Sequence, residues 1–313
     1  MSETLLAMQN PQRLTERLQI LKTERRAVIL AHNYQPDEVQ AVADHTGDSL
    51  ELARLAARSD ARVIVLAGVR FMAESAKLLA PDKTVLLPVA EAGCPLADTV
   101  TAEDVLAERA RHPRAAVVSY VNSSAAVKAV SDVCCTSANA VDVVRGLAQD
   151  EVIFVPDKNL ADWVARHTDK RIFPWAGSCC VHHRITVQDV AAGRASHPGA
   201  VFLAHPECRP EVCALADAVL STSQMLRFVR DDPRAEFLIG TEIGLLYRLR
   251  QEHPAKRFHP LSERMLCRTM KMTTLAVLVS GLEHMRHAVE LDPAVVVKAR
   301  RAVERMVEVI PQR

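Results

Sequence analysis

The chain has 313 residues, 49% of them hydrophobic and 25% charged. At roughly 150 residues per domain, that length suggests about two domains, and the composition is too apolar for a disordered chain. Lys and Arg number 39 against 38 Asp and Glu, and no basic run interleaves with aromatics, so nothing points to nucleic acid. In chain order, Asn10-Pro11 comes first and reads as an N-cap with proline at the first helical position; Leu14, Leu18 and Leu21 follow at helical spacing. The segment before it lacks the basic stretch and long apolar core of a signal peptide. The apolar runs, about ten residues at most, are too short for a membrane span. A cytoplasmic enzyme or binder with no membrane or nucleic-acid partner is therefore expected. In that compartment the eight cysteines would not form disulfides, and none forms a C-x-x-C pair.

Three β-branched runs then recur, each ending in a polar cluster: AVILAHNY (27–34), AVVSYVNS (116–123) and AVFLAHPE (200–207). Aligned on His32, Tyr120 and His205, they lie 88 and 85 residues apart. Twelve residues after each anchor stands an aspartate, Asp44, Asp132 or Asp217, expected inside or at the end of a helix with a structural role. Five residues later comes a hydroxyl, Ser49, Ser137 or Thr222, where a helix should begin. Second apolar runs follow at RVIVLAG, EVIFVP and EFLIGT, and third ones at TVLLP, RIFPW and KRFHPL. Amphipathic segments such as SLELARLAARS separate them. Each unit reads strand–helix–strand–helix–strand, the signature of parallel βαβ units. The expected fold is α/β: three homologous three-layer α/β/α domains with parallel sheets, arranged around a pseudo-threefold axis. Expected boundaries are 1–26 for an N-terminal helix, 27–112, 113–198 and 199–270 for the repeats, and 271–313 for C-terminal helices that brace them. Asp292-Pro293 opens the last of these, with Val296, Ala299, Val303, Met306 and Ile310 on one side.

Ligands of open parallel sheets bind beyond the carboxyl ends of the strands. His32 with Tyr34, Tyr120 with Asn122, and His205 with Glu207 all fall there. Each hydroxyl alone would be a plain helix cap; three in register suggest a shared anion site at helix N-termini. The repeat also sorts the cysteines. Cys94, Cys179 and Cys267 follow their anchors by 62, 59 and 62 residues, while Cys134, Cys135, Cys180, Cys208 and Cys213 lack equivalents. Three thiolates converging on a pseudo-threefold axis would make a metal or iron–sulfur site. Zinc held by the three cysteines and a histidine, for which His182 is available, stays open beside a cluster with one open iron. Either metal could polarise a substrate hydroxyl or carbonyl, which describes a dehydration or condensation enzyme acting on a small anion. A zinc or iron hydro-lyase and a non-enzymatic iron–sulfur sensor are the rival readings. No Walker loop, G-x-G-x-x-G, G-x-S-x-G or H-E-x-x-H is present.

Eight segments in order, over roughly 30–275, resemble the quinolinate synthase family. They are AHNYQPDEVQ…GDSLELAR, GVRFMAESAKLL, LPVAEAGCPLAD, SYVNSSAAVKAVSDVCCTSANAV, GSCCVH, HPECRPEV…STSQ, IGTEIGLLYRL, and Cys267 with Met270-Lys271. Asn33 and Arg70 depart mildly from the pattern, and Cys135 and Cys180 are additional thiols. The resemblance implies a 4Fe–4S cluster on Cys94, Cys179 and Cys267 with one open iron. It implies condensation of iminoaspartate with dihydroxyacetone phosphate to quinolinate, in de novo NAD biosynthesis. An L-aspartate oxidase or an aspartate dehydrogenase is the implied functional partner supplying the imine. The implied substrate-binding residues are His32, Ser49, Tyr120, Asn122, Ser137, His182, His205, Glu207 and Thr222, with Met72 held by motif context alone. Glu207 is the preferred general base, with Tyr34, His205 and His32 as further proton-transfer candidates.

Overall fold

Within the first repeat the apolar runs form strands β1 (Ala27–His32), β3 (Val63–Ala67) and β4 (Thr84–Leu86), and a short strand β2 (His45–Gly47) is added. The second repeat holds β5 (Ala116–Tyr120), β6 (Val133–Cys135), β7 (Glu151–Val155) and β8 (Arg171–Pro174). The third holds β9 (Val201–Ala204), β10 (Ala218–Val219), β11 (Glu236–Gly240) and β12 (Arg257–Pro260). The computed structural model that gives this description covers residues 10–308. All pairings are parallel, and the strand order is the same three times: β2-β1-β3-β4, β6-β5-β7-β8 and β10-β9-β11-β12. The architecture is thus α/β, with three parallel four-stranded sheets interleaved with helices.

Each repeat therefore has four strands rather than the expected three. The extra one lies at a sheet edge and spans two or three residues, too short to show periodicity. The central strands are covered on both faces, which is why they read as unbroken apolar runs.

The extra strand also corrects the placement of the repeated aspartates. Asp44, Asp132 and Asp217 are not helical; each is the bend that leads into the short strand. Their carboxylates accept the backbone N–H of Ile29, Val117 and Phe202 in the first strand of the repeat, at 2.8, 2.7 and 2.7 Å. Their own N–H groups return the bond to the same three residues. A cation from the preceding helix completes each staple: Lys22, Arg109 and Arg194. The ion pairs are partly exposed and contribute little. The strand amide matters more, because Phe202 is buried and its N–H would lose its partner. Asp217→Ala is expected to destabilise the chain by about 1–3 kcal/mol in urea unfolding. Arg194→Ala should cost well under half of that.

By compactness the chain forms two units. One comprises residues up to Cys94 together with Arg268–Pro293; the other comprises Pro95–Cys267 with the segment from Ala294. In the first unit, helix Pro11–Arg25 starts as expected, with Asn10 accepting from the N–H groups of Gln12 and Arg13. Its Leu18 and Leu21 meet Leu275, Leu278 and Leu282 of helix Leu275–Glu283 in one apolar cluster with β1 and β3. Arg17 and Glu283 pair across the two helices at 2.6 Å. In the second unit, helix Pro293–Glu308 buries Ala299, Ala302, Val303 and Met306. Met306 O accepts from the Asn139 side chain at 3.0 Å, and Arg305 donates to Asp132 O. Ile310 lies outside the described residues. No helix among the described residues is long and apolar enough to cross a membrane.

Candidate active site

The three repeat-equivalent cysteines sit in loops built alike. In each repeat, the residue 38 positions after the anchor donates its N–H to the carbonyl two residues before the cysteine. The bonds are Arg70 to Ala92 at 2.8 Å, Lys158 to Gly177 at 2.8 Å and Ile243 to Met265 at 2.9 Å. Cys94, Cys179 and Cys267 are all partly accessible. Cys179 and Cys267 pack against the same apolar cluster of the second unit. The close fit of the Cys179 loop explains Gly177: a Cβ there would stand 2.5 Å from the Pro156 carbonyl oxygen.

The other thiols have different surroundings. Cys134 and Cys135 are fully buried in β6, and burial pushes Cys134 up to about 12 and Cys135 well above the ordinary thiol range. Burial raises Cys208 likewise and pushes Cys213 up to about 12. Thiols held protonated in this way are poor metal ligands. Cys180 is exposed.

A chain of contacts in the second unit runs from Cys179 to Ser137. His182 Nδ1 is 3.2 Å from Cys179 Sγ and 3.2 Å from Glu207 Oε2. Its Nε2 is 2.9 Å from Thr241 Oγ1. His205 stacks on His182 with ring centroids 4.5 Å apart. His205 Nδ1 faces both the Glu207 N–H and Glu207 Oε2 at 3.3 Å, and its Nε2 is 3.2 Å from Ser137 Oγ. Glu207, His182 and His205 are all buried, and Glu207 Oε1 has no hydrogen-bond partner. Glu207 is held from behind by its carbonyl, which accepts from the Asn159 side chain at 2.8 Å.

Below this chain lies Asp157, fully buried, accepting from the N–H groups of Asn159, Leu160 and Cys179. Burial first, and Glu207 second, raise its pKa against the pull of those three donors.

Tyr120, at the end of β5, is buried; Asn122 follows it half-buried. Their loop is tied by Lys128, a fully buried lysine that donates to Ser123 O, and by Ser123 Oγ, which donates to Tyr120 O. Two of the hydroxyls stand where a helix begins, as expected, but one residue past the cap. Ser49 and Thr222 are first helical residues, and the caps are Asp48 and Ser221. Ser137 sits in a turn before helix Ala140–Arg145 rather than at its start. All three hydroxyls are therefore not the capping groups.

In the first unit, His32 ends β1 and its Nδ1 accepts from the Tyr34 N–H at 3.2 Å. The two rings meet edge-on with centroids 4.5 Å apart. Met270-Lys271 closes over this turn: Gln35 Nε2 donates to Met270 O at 2.8 Å, and Lys271 Nζ donates to Tyr34 O. Burial first, and Lys271 second, lower the His32 pKa to about 3, so the ring is neutral at physiological pH. An unfolded histidine takes up its proton near 6.5. Stability contributed by neutral His32 is thus complete above pH 6.5 and drains away as pH falls from there toward 3. The urea midpoint of the native chain is expected to fall more steeply between pH 7 and 5 than that of His32→Gln. Parallel slopes would mean His32 titrates normally. Met72 is buried and lies over Gly68, where a Cβ would be 3.0 Å from its sulfur.

Among the described residues, two groups place metal-binding atoms within 4.8 Å of one another: Cys179, His182 and Glu207; and His197, Glu236 and His259. The second group has a counterpart in the preceding repeat. There His112 stacks on Phe173 with centroids 3.8 Å apart, as His197 stacks on His259 at 3.6 Å. Glu151 occupies the register position of Glu236, and Phe173 that of His259. The second trio is thus a packing device of the repeat, with histidine in place of phenylalanine.

Sequence reasoning missed Asp157, its counterpart Glu242, Thr241 and Lys128. Asp157 and Glu242 share an offset of 37 from their anchors, a visible signal that Val69 interrupts in the first repeat.

Comparison with known proteins identifies the family. The family model described as quinolinate synthetase A protein matches residues 16–308. The quinolinate synthase of Methanoregula boonei is 55% identical over 293 residues, covering 94% of this chain and 97% of that protein. That of Thermodesulfovibrio yellowstonii is 51% identical, covering 95% of this chain and 99% of its own length. That of Geobacter metallireducens is 52% identical, covering 95% and 97%. The chain belongs to the quinolinate synthetase A family and is an enzyme of the quinolinate synthase type.

Proposed function

We propose that the chain condenses iminoaspartate with dihydroxyacetone phosphate to give quinolinate, one phosphate and two waters, as a step of NAD biosynthesis. The observation that supports this reading most is the buried Glu207 carboxylate between His182 and His205, with one oxygen left for a donor that the substrate brings.

Cys94, Cys179 and Cys267 would hold a 4Fe–4S cluster. They fit it as a set: three partly accessible thiols, at equivalent positions, in loops tied by the same backbone bond. Bound there, the cluster supplies a Lewis acid for departure of a hydroxyl as water.

The chain's own residues do the rest. Glu207 Oε1 takes the proton from the carbon that becomes nucleophilic as the imine turns to its enamine. That carbon bonds to the triose and phosphate leaves. The resulting hydroxyketone isomerises to a hydroxyaldehyde, the nitrogen closes a six-membered ring on that terminal aldehyde, and two waters are lost as the ring becomes aromatic. His205 and His182 touch the other Glu207 oxygen, and they reach Ser137 and Thr241 through their far nitrogens, so protons have a route away from the base. Neutral His32 has its Nδ1 engaged by the Tyr34 N–H, which leaves Nε2–H as a donor to a carboxylate or carbonyl. Ser49, Ser137 and Thr222, relieved of capping, offer hydroxyls beside helix or turn N–H groups for phosphate and carboxylates.

Anaerobic protein given both substrates should release quinolinate and phosphate in a 1:1 ratio. Phosphate release without quinolinate would favour a hydro-lyase on a phosphorylated keto compound instead.

A further inference from the structure

Two of the three cysteine loops carry a second tie that only a carboxylate can make. Asp157 and Glu242 stand two residues beyond the ends of the central strands β7 and β11, and both are fully buried. Each divides its two oxygens between two tasks. Asp157 Oδ1 accepts from Asn159 and Leu160 at 2.9 and 2.8 Å, which starts helix Lys158–Arg166; Oδ2 accepts the Cys179 N–H at 2.9 Å. Glu242 Oε2 accepts from Gly244 at 2.7 Å, at the start of helix Leu245–Glu252; Oε1 accepts the Cys267 N–H at 3.0 Å. A side-chain amide has one acceptor oxygen and would turn its NH2 toward one of these N–H groups. The same division of labour at the same offset, in two copies that differ in side-chain length, marks a selected geometry rather than two unrelated caps.

We infer that Asp157 and Glu242 are positioning residues for the metal cluster, each tying the amide of a ligand cysteine to the rigid end of a central strand. The inference rests on Cys179 and Cys267 being cluster ligands. It has two consequences. Loops tied in this way hold their thiolates ready, so iron should leave slowly. An amide given to a carboxylate is also withheld from the cluster sulfurs, and N–H donors to those sulfurs help set the reduction potential. Freeing the amide should raise the potential.

The test compares anaerobically loaded full-length protein with Asp157→Asn, Glu242→Gln and Thr101→Ala. The last removes a helix cap in the same unit that touches no cysteine, since Thr101 accepts from Asp104. Both carboxylate variants should lose iron to a ferrous chelator at least tenfold faster than the native chain, and their cluster potentials should rise. Thr101→Ala should match the native chain in both. Native iron loss or an unmoved potential in either folded carboxylate variant would overturn the inference. If a variant does not fold, hydrogen exchange of the native apo-protein decides. The Cys179 and Cys267 amides should be as protected as β7 and β11, and exchange at open-chain rates would overturn the tie. A native chain that takes up no cluster at all would instead sink the ligand assignment beneath it.

Discussion

Serine in place of Cys94, Cys179 or Cys267 should give colourless protein with no measurable quinolinate formation. The anaerobic native chain should be brown with about four irons. The effect is expected to be all or none because each repeat supplies one such thiol. The control is Cys213→Ser. Cys213 Sγ lies 3.6 Å from the His205 and Cys208 carbonyls, burial keeps it protonated, and a hydroxyl can make the same contacts. That variant should keep its colour and nearly full turnover. Retained turnover in Cys267→Ser would contradict the ligand set. A colourless anaerobic native protein containing zinc would contradict the cluster.

Glu207→Gln separates the chemistry from the metal. The substitution keeps the size and burial of the side chain, and the three cysteine loops keep their backbone ties. Colour and iron content should be native. Turnover should fall by about 10²–10⁴, the usual worth of a positioned general base. The amide would also place an NH2 or an oxygen against His182 and His205, which the carboxylate now faces at 3.2 and 3.3 Å. Full activity would remove Glu207 from the mechanism and move attention to Tyr34 and His205.

The central strands were legible because they are buried on both faces, so covered sheets write themselves as apolar runs. Their edge partners were not: His45–Gly47 and Ala218–Val219 are too short and too mixed in character to show a period. The repeated aspartates were legible as positions, but not as staples, because their partners are backbone amides fifteen residues away. The polar strand ends and the repeat-related cysteines could be read from spacing alone. Asp157 and Glu242 could not, since a pattern kept in two copies and lost at Val69 looks like chance. Lys128 was hidden differently: a lysine in a short amphipathic segment reads as facing solvent, and here it is fully buried.

The first compact unit is discontinuous, and that has a consequence for how the chain comes off the ribosome. Its apolar cluster joins Leu18, Leu21 and the β1 and β3 side chains to Leu275, Leu278, Val279 and Leu282. Those last leucines are made nearly two hundred residues after Cys94. At about 5–20 residues per second, the N-terminal sheet waits on the order of ten to forty seconds for the helix that covers it. Through that interval, one face of its central strands and the inner side of helix Pro11–Arg25 lack their partner, while residues 95–267 are being made. A chain stopped after Cys267 would contain every proposed cluster cysteine and still leave that first sheet uncovered, so aggregation of truncated products should begin there.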